Sequence, residues 1–289
     1  MRLSGARFRR APSPEVVDAV VGVLATPGPH QARRCIPVGA VERAAGPHWA
    51  SSPPLSTPAR SAAGTGHRRR SSDSHWSALL ETLPTPDRAS LLDFGCGAAS
   101  TQARAAALGY AWRGLDIPGS QEALGRSDRT GVTYYDGGRI PFPDNSFDVV
   151  LSVQVFEHVV DPHQTIAEIA RIVKPGGHLL GSTSHIEPFH SASTFTYTPA
   201  VFARLLEQNR LRAQLISPGI DGLTIVARRL LRQFGAVEES KLLNQFFAGH
   251  SPLHELIDAC GEAQGVDQRQ INALKLELTG QFHFLAGKV

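Results

Sequence analysis

Apolar residues along this chain fall into two rhythms. Short continuous runs bounded by glycine or an acid read as buried strands, and segments apolar at every third or fourth position read as helices packed by one face. Trp76, Leu79, Leu80 and Leu83 have helical spacing, and Pro84 and Pro86 end that segment. Leu91-Leu92 opens a first strand that leads through Asp93 to Gly95 and Gly97, with the Ala-rich helix Thr101–Leu108 directly behind. Ala111–Ile117 reads as a second strand ending in Asp116, and Val132–Asp136 as a third ending in another acid. Phe147–Phe156 is long and apolar, the kind of strand a parallel sheet covers on both faces. Asp161-Pro162 supplies an N-cap and first-turn proline to a helix with Ile166, Ile169, Ala170, Ile172 and Val173 on one side. Lys174-Pro-Gly-Gly177 is expected to stop it before a fifth strand, His178–Ser184. Thr198-Pro199 caps a further helix, with Phe202, Leu205 and Leu206 inward, and Leu211–Ser217 is a sixth strand.

This alternation predicts an α/β fold: a Rossmann-like, doubly wound, mostly parallel seven-stranded sheet with helices on both faces. Residues 220–278 read as three or four helices, one opening at Ser251-Pro252 and another near Asp267, and Gln281–Leu285 as the last strand. That helical segment is expected to cap the substrate side. Ligands in such sheets bind beyond the carboxyl ends of the strands, so the loop Asp93–Gly97 marks the expected site.

Residues 1–72 break the pattern, being rich in Pro, Ser, Ala, Gly and Arg, and are expected to form an extension without a fixed fold ahead of a single domain at 73–289. Ser13-Pro14 heads one helix-like exception, Pro14–Ala25. The Arg-rich start resembles a transit peptide, and Arg9-Arg10 a twin-Arg signal, but Asp18 interrupts the apolar run and no small-residue cleavage site is clear. Charge divides at the same place. Residues 1–70 hold 11 Arg, no Lys and three acids (Glu15, Asp18, Glu42), against 18 basic and 23 acidic residues in the remainder. A mildly acidic folded part argues against a nucleic-acid groove. Cys35, Cys96 and Cys260 lie far apart with no metal-ligand spacing, which points to a reducing, cytoplasmic setting. No apolar run is long enough for a membrane span.

Three acids, Asp93, Asp116 and Asp136, stand at the ends of three consecutive strands. Asp116 follows Asp93 by 23 residues, close to the ~20-residue step that places an acid on a ribose hydroxyl. A nicotinamide dinucleotide would want a third glycine at Ser100 and fewer carboxylates around its pyrophosphate. A ligand with a cationic end, a ribose and an adenine fits better, and S-adenosylmethionine is such a ligand.

Five stretches in order carry a family likeness: Leu91–Gly97, Gly114–Ile117, Asp136–Asp148, Val155–Val159 with Asp161-Pro162, and Arg171–Gly177. The chain resembles the class I S-adenosylmethionine-dependent methyltransferases, in the small-molecule branch called the methyltransferase type 11 group. His185–His190, Phe195–Pro199 and the tail also resemble bacterial members associated with sugar, polysaccharide or natural-product pathways. The resemblance implies that Asp93, Phe94, Gly95, Cys96 and Gly97 form the loop beneath the methionine part, with Asp93 organising it and facing the cationic end. It implies Asp116 on the ribose hydroxyls, Ile117 on the adenine face, Asp136 with the Gly137 backbone on the adenine amino group, and Gln154 and His158 near the methyl. The family's third glycine is Ala99 here. Cys96 alone reads as a small packing residue, and Pro141–Asn145 as a structural turn.

An oxygen acceptor benefits from a base that titrates near neutrality, which makes His158, His190 and His185 the catalytic candidates in that order. Glu157 and Glu187 are the carboxylate alternatives. His185, Glu187 and His190 lack diagnostic ligand spacing, so no metal is expected. Phe189, Phe195 and Tyr197 are candidate walls for a small-molecule acceptor. Neither an Asn/Asp-Pro-Pro-Tyr segment nor a Pro-Cys nucleophile is present, which disfavours nucleic acid. The expected activity is methylation of a hydroxyl on a sugar or natural product. The alternatives are nitrogen, carbon or lipid-quinone methylation, or a cofactor-binding protein that has lost catalysis.

Overall fold

The structure is a computed structural model that describes residues 75–83, 87–120, 131–191, 193–248 and 251–289. The extension read at 1–72 and its helix-like segment Pro14–Ala25 lie outside the described residues. Seven strands form one sheet: β1 (Ser90–Phe94), β2 (Ala111–Asp116), β3 (Val132–Tyr134), β4 (Phe147–Val153), β5 (Val173–Ser184), β6 (Leu211–Pro218) and β7 (Gln281–Lys288). Their spatial order is β3-β2-β1-β4-β5-β7-β6. Strands β1 to β5 are parallel, and β7 runs antiparallel between β5 and β6.

Strand alternation sorts the core into two layers, because successive side chains point to opposite faces. On one face Leu91, Val149, Leu151, Leu180 and Leu215 pack with Leu79 and Leu80 of α1 (His75–Thr82) and Ala105 of α2 (Gln102–Ala107). On the other, Leu92, Val150, Leu179, Ile216, Phe282 and Phe284 meet Ile166 and Ile169 of α3 (Pro162–Ile172) and Phe202 and Leu206 of α4 (Pro199–Gln208). Phe202 is the hub of that aromatic layer, with ring centroids 4.7 Å from Phe284, 5.2 Å from Phe156 and 5.6 Å from Phe282.

Capping follows the sequence. Asp161 accepts from the Gln164 amide at the start of α3, and Thr198 from the Val201 amide at the start of α4. The tail folds as α5 (Gly222–Gln233), α6 (Val237–Leu242), a 3-10 segment (Leu243–Ala248), α7 (Pro252–Ala263) and α8 (Gln268–Glu277). Among the described residues, no helix is long and apolar enough to cross a membrane.

Three boundaries differ from expectation. Strand β4 ends at Val153, because the chain turns at Gln154 (φ +56°) into a 3-10 turn, Phe156–His158. Strand β3 stops at Tyr134, two residues short of Asp136. Helix α3 stops at Ile172 and β5 begins at once at Val173, before the Lys-Pro-Gly-Gly stretch. Pro175 disfavours helical backbone at Lys174, so the chain is already extended there. The Pro141–Asn145 stretch is indeed structural: Arg171 donates to the Ile140 and Phe142 carbonyls and pairs with Glu168 and Asp144.

Where β4 and β5 lie closest, Gly181 has no room for a side chain, since a Cβ there would stand 1.7 Å from the Ser152 carbonyl oxygen. Gly181→Ala must therefore push the two central strands apart. We expect a loss of about 3 kcal/mol or more in urea unfolding, or no soluble folded protein.

Candidate active site

The carboxyl ends of β1, β2 and β4 build the first half of the site. After β1 the chain reverses with Gly95 at φ +71° and Gly97 at φ +47°, and the Gly95 and Cys96 amides both donate to the Leu115 carbonyl. Gly95 is required for a reason the sequence did not show. A Cβ there would come within 2.5 Å of the Val155 side chain, so the glycine admits residues after β4 rather than only a ligand. Gly97 spends its amide on Asp116 Oδ2 (2.9 Å). Asp116 is buried and also accepts from the Ile117 amide (2.8 Å) and the Ser120 hydroxyl (3.2 Å), so its carboxylate is locked at the end of β2.

Asp93, at the end of β1, is buried. It accepts from Thr101 Oγ1 and, at 3.4 Å, from Trp112 Nε1, tying β1 to the start of α2 and to β2. These bonds are those of a loop organiser. Phe94 is buried with Tyr135 and Phe156 (centroids 6.3 and 6.2 Å), so its ring belongs to the core. Cys96 is a buried thiol packed so tightly that a Cβ on Gly114 would lie 2.7 Å from its Sγ. Beside this loop Ile117 is 47% exposed, Asp136 is exposed, and Gly137 (φ +88°) has open space on its side-chain side.

The second half lies where β4 and β5 end. Gln154 donates to Ser182 Oγ (3.0 Å), so its side chain lies along β5. Glu157 is fully buried, with Thr183 Oγ1 donating at 3.0 Å and Ser184 Oγ 3.3 Å from its other oxygen. Burial pushes its carboxyl up to about 7, against the opposing pull of its own amide and of Thr183. Glu187 has a different fate. Burial raises its carboxyl too, but bonds from Arg229, Ser184 and Gln281, with His190 nearby, hold it below the usual range.

His158 and His190 meet edge to face with centroids 5.2 Å apart. His190 Nδ1 lies 3.1 Å from the Pro188 carbonyl, and a carbonyl only accepts, so Nδ1 carries the proton and Nε2 the lone pair. The loop bearing His190 is strapped to the turn bearing Glu157, whose carbonyl accepts from the amides of Thr194 (2.6 Å) and Phe195 (3.1 Å).

Across the families of known proteins, residues 92–181 match the model described as a methyltransferase domain. That segment runs from β1 through most of β5 and carries the glycine turn, Asp116 and the Glu157–His158 turn. Residues 92–181 thus belong to a methyltransferase domain. An uncharacterized methyltransferase of Mycobacterium sp. (strain JLS) is 35% identical over 117 residues, covering 39% of this chain and 46% of that one. Demethylmenaquinone methyltransferase of Tropheryma whipplei (strain Twist) is 34% identical over 113 residues, covering 37% and 47%. The 27-O-demethylrifamycin SV methyltransferase of Amycolatopsis mediterranei (strain S699) is 35% identical over 110 residues, covering 35% and 40%. The match spans less than half the length of each of these relatives.

The fold brings His158 and His190 together but leaves His185 out of the group that Glu157 joins. Burial depresses the His185 imidazole, with an opposing bond to the Tyr197 backbone. Tyr197 is a core residue, its hydroxyl donated to the Phe156 carbonyl, so it is no pocket wall; Phe189 is 80% exposed and Phe195 39%. Arg229 and Gln281 were not foreseen. Nothing in their neighbourhoods marks them, since they reach Glu187 from 42 and 94 residues away.

Two outcomes follow for the methyltransferase domain. Ala99 sits at φ +57°, a glycine conformation with a methyl group attached. Ala99→Gly should relieve more strain than its unfolded-state entropy costs and gain about 0.5–1 kcal/mol in urea melts. Glu157 holds its proton more tightly folded than unfolded, so its contribution is fully present below the ordinary carboxyl value and is lost as pH rises through about 7. In chelator-containing buffer, Glu157→Gln should therefore gain stability relative to the parent between pH 5 and pH 8; parallel curves would refute the raised value.

Proposed function

We propose that the chain moves a methyl group from S-adenosylmethionine to a hydroxyl of a small molecule, a sugar or natural-product intermediate. The observation that carries this reading is the pairing of two half-sites on one sheet edge. The locked Asp116 carboxylate stands at the end of β2, Glu157 and His158 follow β4 with β1 between the two strands, and His190 joins them from the loop after β5. The residues present fit the cofactor. Asp116 offers a fixed acceptor for ribose hydroxyls, Ile117 an exposed apolar face, and the space beside Gly137 is open.

When bound, the cofactor supplies an electrophilic methyl on a sulfonium. The transfer is an in-line displacement, so holding the acceptor in line is the main task of the chain. An acceptor hydroxyl must shed its proton as its oxygen takes the methyl, and imidazole accepts protons near neutrality. His158 and His190 are the groups we assign to that proton, with Glu157 beside them. The exposed Phe189 and Phe195 rings on the 185–198 loop, and helix α5 tied to that loop through Arg229–Glu187, form the acceptor side. A demethylmenaquinone and a rifamycin methyltransferase among the relatives are consistent with a small-molecule acceptor.

Calorimetry with S-adenosylmethionine tests the first half. Asp116→Ala should weaken binding at least about tenfold, ~1.4 kcal/mol for a lost charge-assisted bond, while Glu207→Ala on exposed α4 surface should not. Incubation with small hydroxylated acceptors should then yield a mass gain of one methyl. No binding, or equal loss in both variants, overturns the reading.

A further inference from the structure

Residues from two separated pieces of chain meet beside the end of the sheet. Glu157 and His158 come from the turn after β4, and His190 from the loop after β5. One carboxylate oxygen and one nitrogen from each imidazole lie within 4.8 Å of one another. In a tetrahedral site with bonds of about 2.0–2.1 Å the ligand atoms stand roughly 3.3 Å apart. Inward shifts of ~1 Å or less per side chain would close the set, which two half-buried imidazoles can supply by rotating.

Two further features are those of a ligand set. The first is orientation. His190 is held from behind, with Nδ1 3.1 Å from the Pro188 carbonyl and 3.8 Å from Glu187 Oε1, which leaves Nε2 as the ring nitrogen with a lone pair to offer. Metal-bound histidines nearly always donate their second ring N–H to a carbonyl or carboxylate in this way. The second is charge. Glu187 has the Arg229 guanidinium as its cation, whereas the neutral hydroxyls of Thr183 and Ser184 bond to the Glu157 side chain. A divalent ion bound there would offset the cost of keeping this fully buried carboxyl charged.

We propose that Glu157, His158 and His190 bind one divalent first-row transition-metal ion, with coordination positions left over for oxygen donors. Two imidazoles and one carboxylate suit zinc, cobalt, iron or manganese and leave the ion open, whereas magnesium and calcium prefer all-oxygen sets. The spacing of His185, Glu187 and His190 gave no reason to expect a metal, and the fold regroups the donors: Glu187 is taken by Arg229, and Glu157 and His158 replace it and His185. An acceptor oxygen on the ion is the one part of the idea that rests on the proposed activity; binding of the ion itself does not.

The test uses the full chain, stripped with chelator and titrated with Co²⁺ and Zn²⁺ in the absence of S-adenosylmethionine. We expect one equivalent bound, cobalt d–d absorption of a nitrogen and oxygen set, and at least a tenfold loss of affinity in His158→Ala and in His190→Ala. Glu157→Gln should behave likewise, with circular dichroism confirming that each variant is folded. His163→Ala, an exposed histidine on α3, should change nothing. Absence of saturable binding, or binding equally strong in the three cluster variants, overturns the metal site. Calorimetry with S-adenosylmethionine on the same preparations reads the cofactor half separately, so either idea can fail alone.

Discussion

The ends of β4 and β5 are held together by one buried carboxyl group. Glu157 takes the Thr183 hydroxyl and lies against that of Ser184 on β5, and its main-chain carbonyl takes the amides of Thr194 and Phe195. Side chain and backbone of a single residue therefore fix the strand edge below and the loop above. Placing a carboxyl there is costly, which is why burial drives it toward its neutral form near pH 7. The same strap sets where His158 and His190 stand, because one is its chain neighbour and the other rides on the loop it holds. Stability at this point is traded for the position of two imidazoles, a pattern common at functional sites.

On the cofactor half the organising group is Asp116. Its carboxylate collects the Gly97 and Ile117 amides and the Ser120 hydroxyl, so the glycine loop after β1 is tied to the end of β2 before any ligand arrives. Asp93 does the corresponding work on the helix side through Thr101 and Trp112. Two acids at neighbouring strand ends thus have distinct parts, Asp116 holding the glycine turn to β2 and Asp93 holding β1 to the start of α2 and to β2. The loop keeps its left-handed turns even where Ala99 replaces glycine, at φ +57°. That strain is small beside the bonds that hold the loop, so the substitution leaves the geometry in place.

The sheet and its capped helices were legible because they rest on local chemistry: strand runs, glycine turns, and Asp161-Pro162 and Thr198-Pro199 as helix starts. Boundaries went astray where a local rule met a longer-range one, as at β5, which begins before its glycines because Pro175 has already extended the chain. The roles of Gly95 and Phe94 were also hidden. Both are decided by what packs against them from elsewhere, Val155 and Phe156, and composition carries no trace of that. Glu157 was read as a secondary alternative to the histidines, since burial, the property that makes it unusual, is visible only in three dimensions.

The segment that matches the methyltransferase model supplies β1 to most of β5, and with them the cofactor loop, Glu157 and His158. Much of the acceptor half lies beyond it. His190 and Glu187 belong to the loop after β5, Arg229 to α5, and Gln281 to the antiparallel strand β7 that is inserted last in the chain order. Glu187 collects bonds from Ser184, Arg229 and Gln281, so the helical tail and the final strand are anchored at the loop after β5. A change in the tail can therefore reshape the loop after β5 without disturbing the glycine turn or Asp116. By the same logic, residues outside the matched segment can vary the second half of the site while the glycine turn and Asp116 stay as they are.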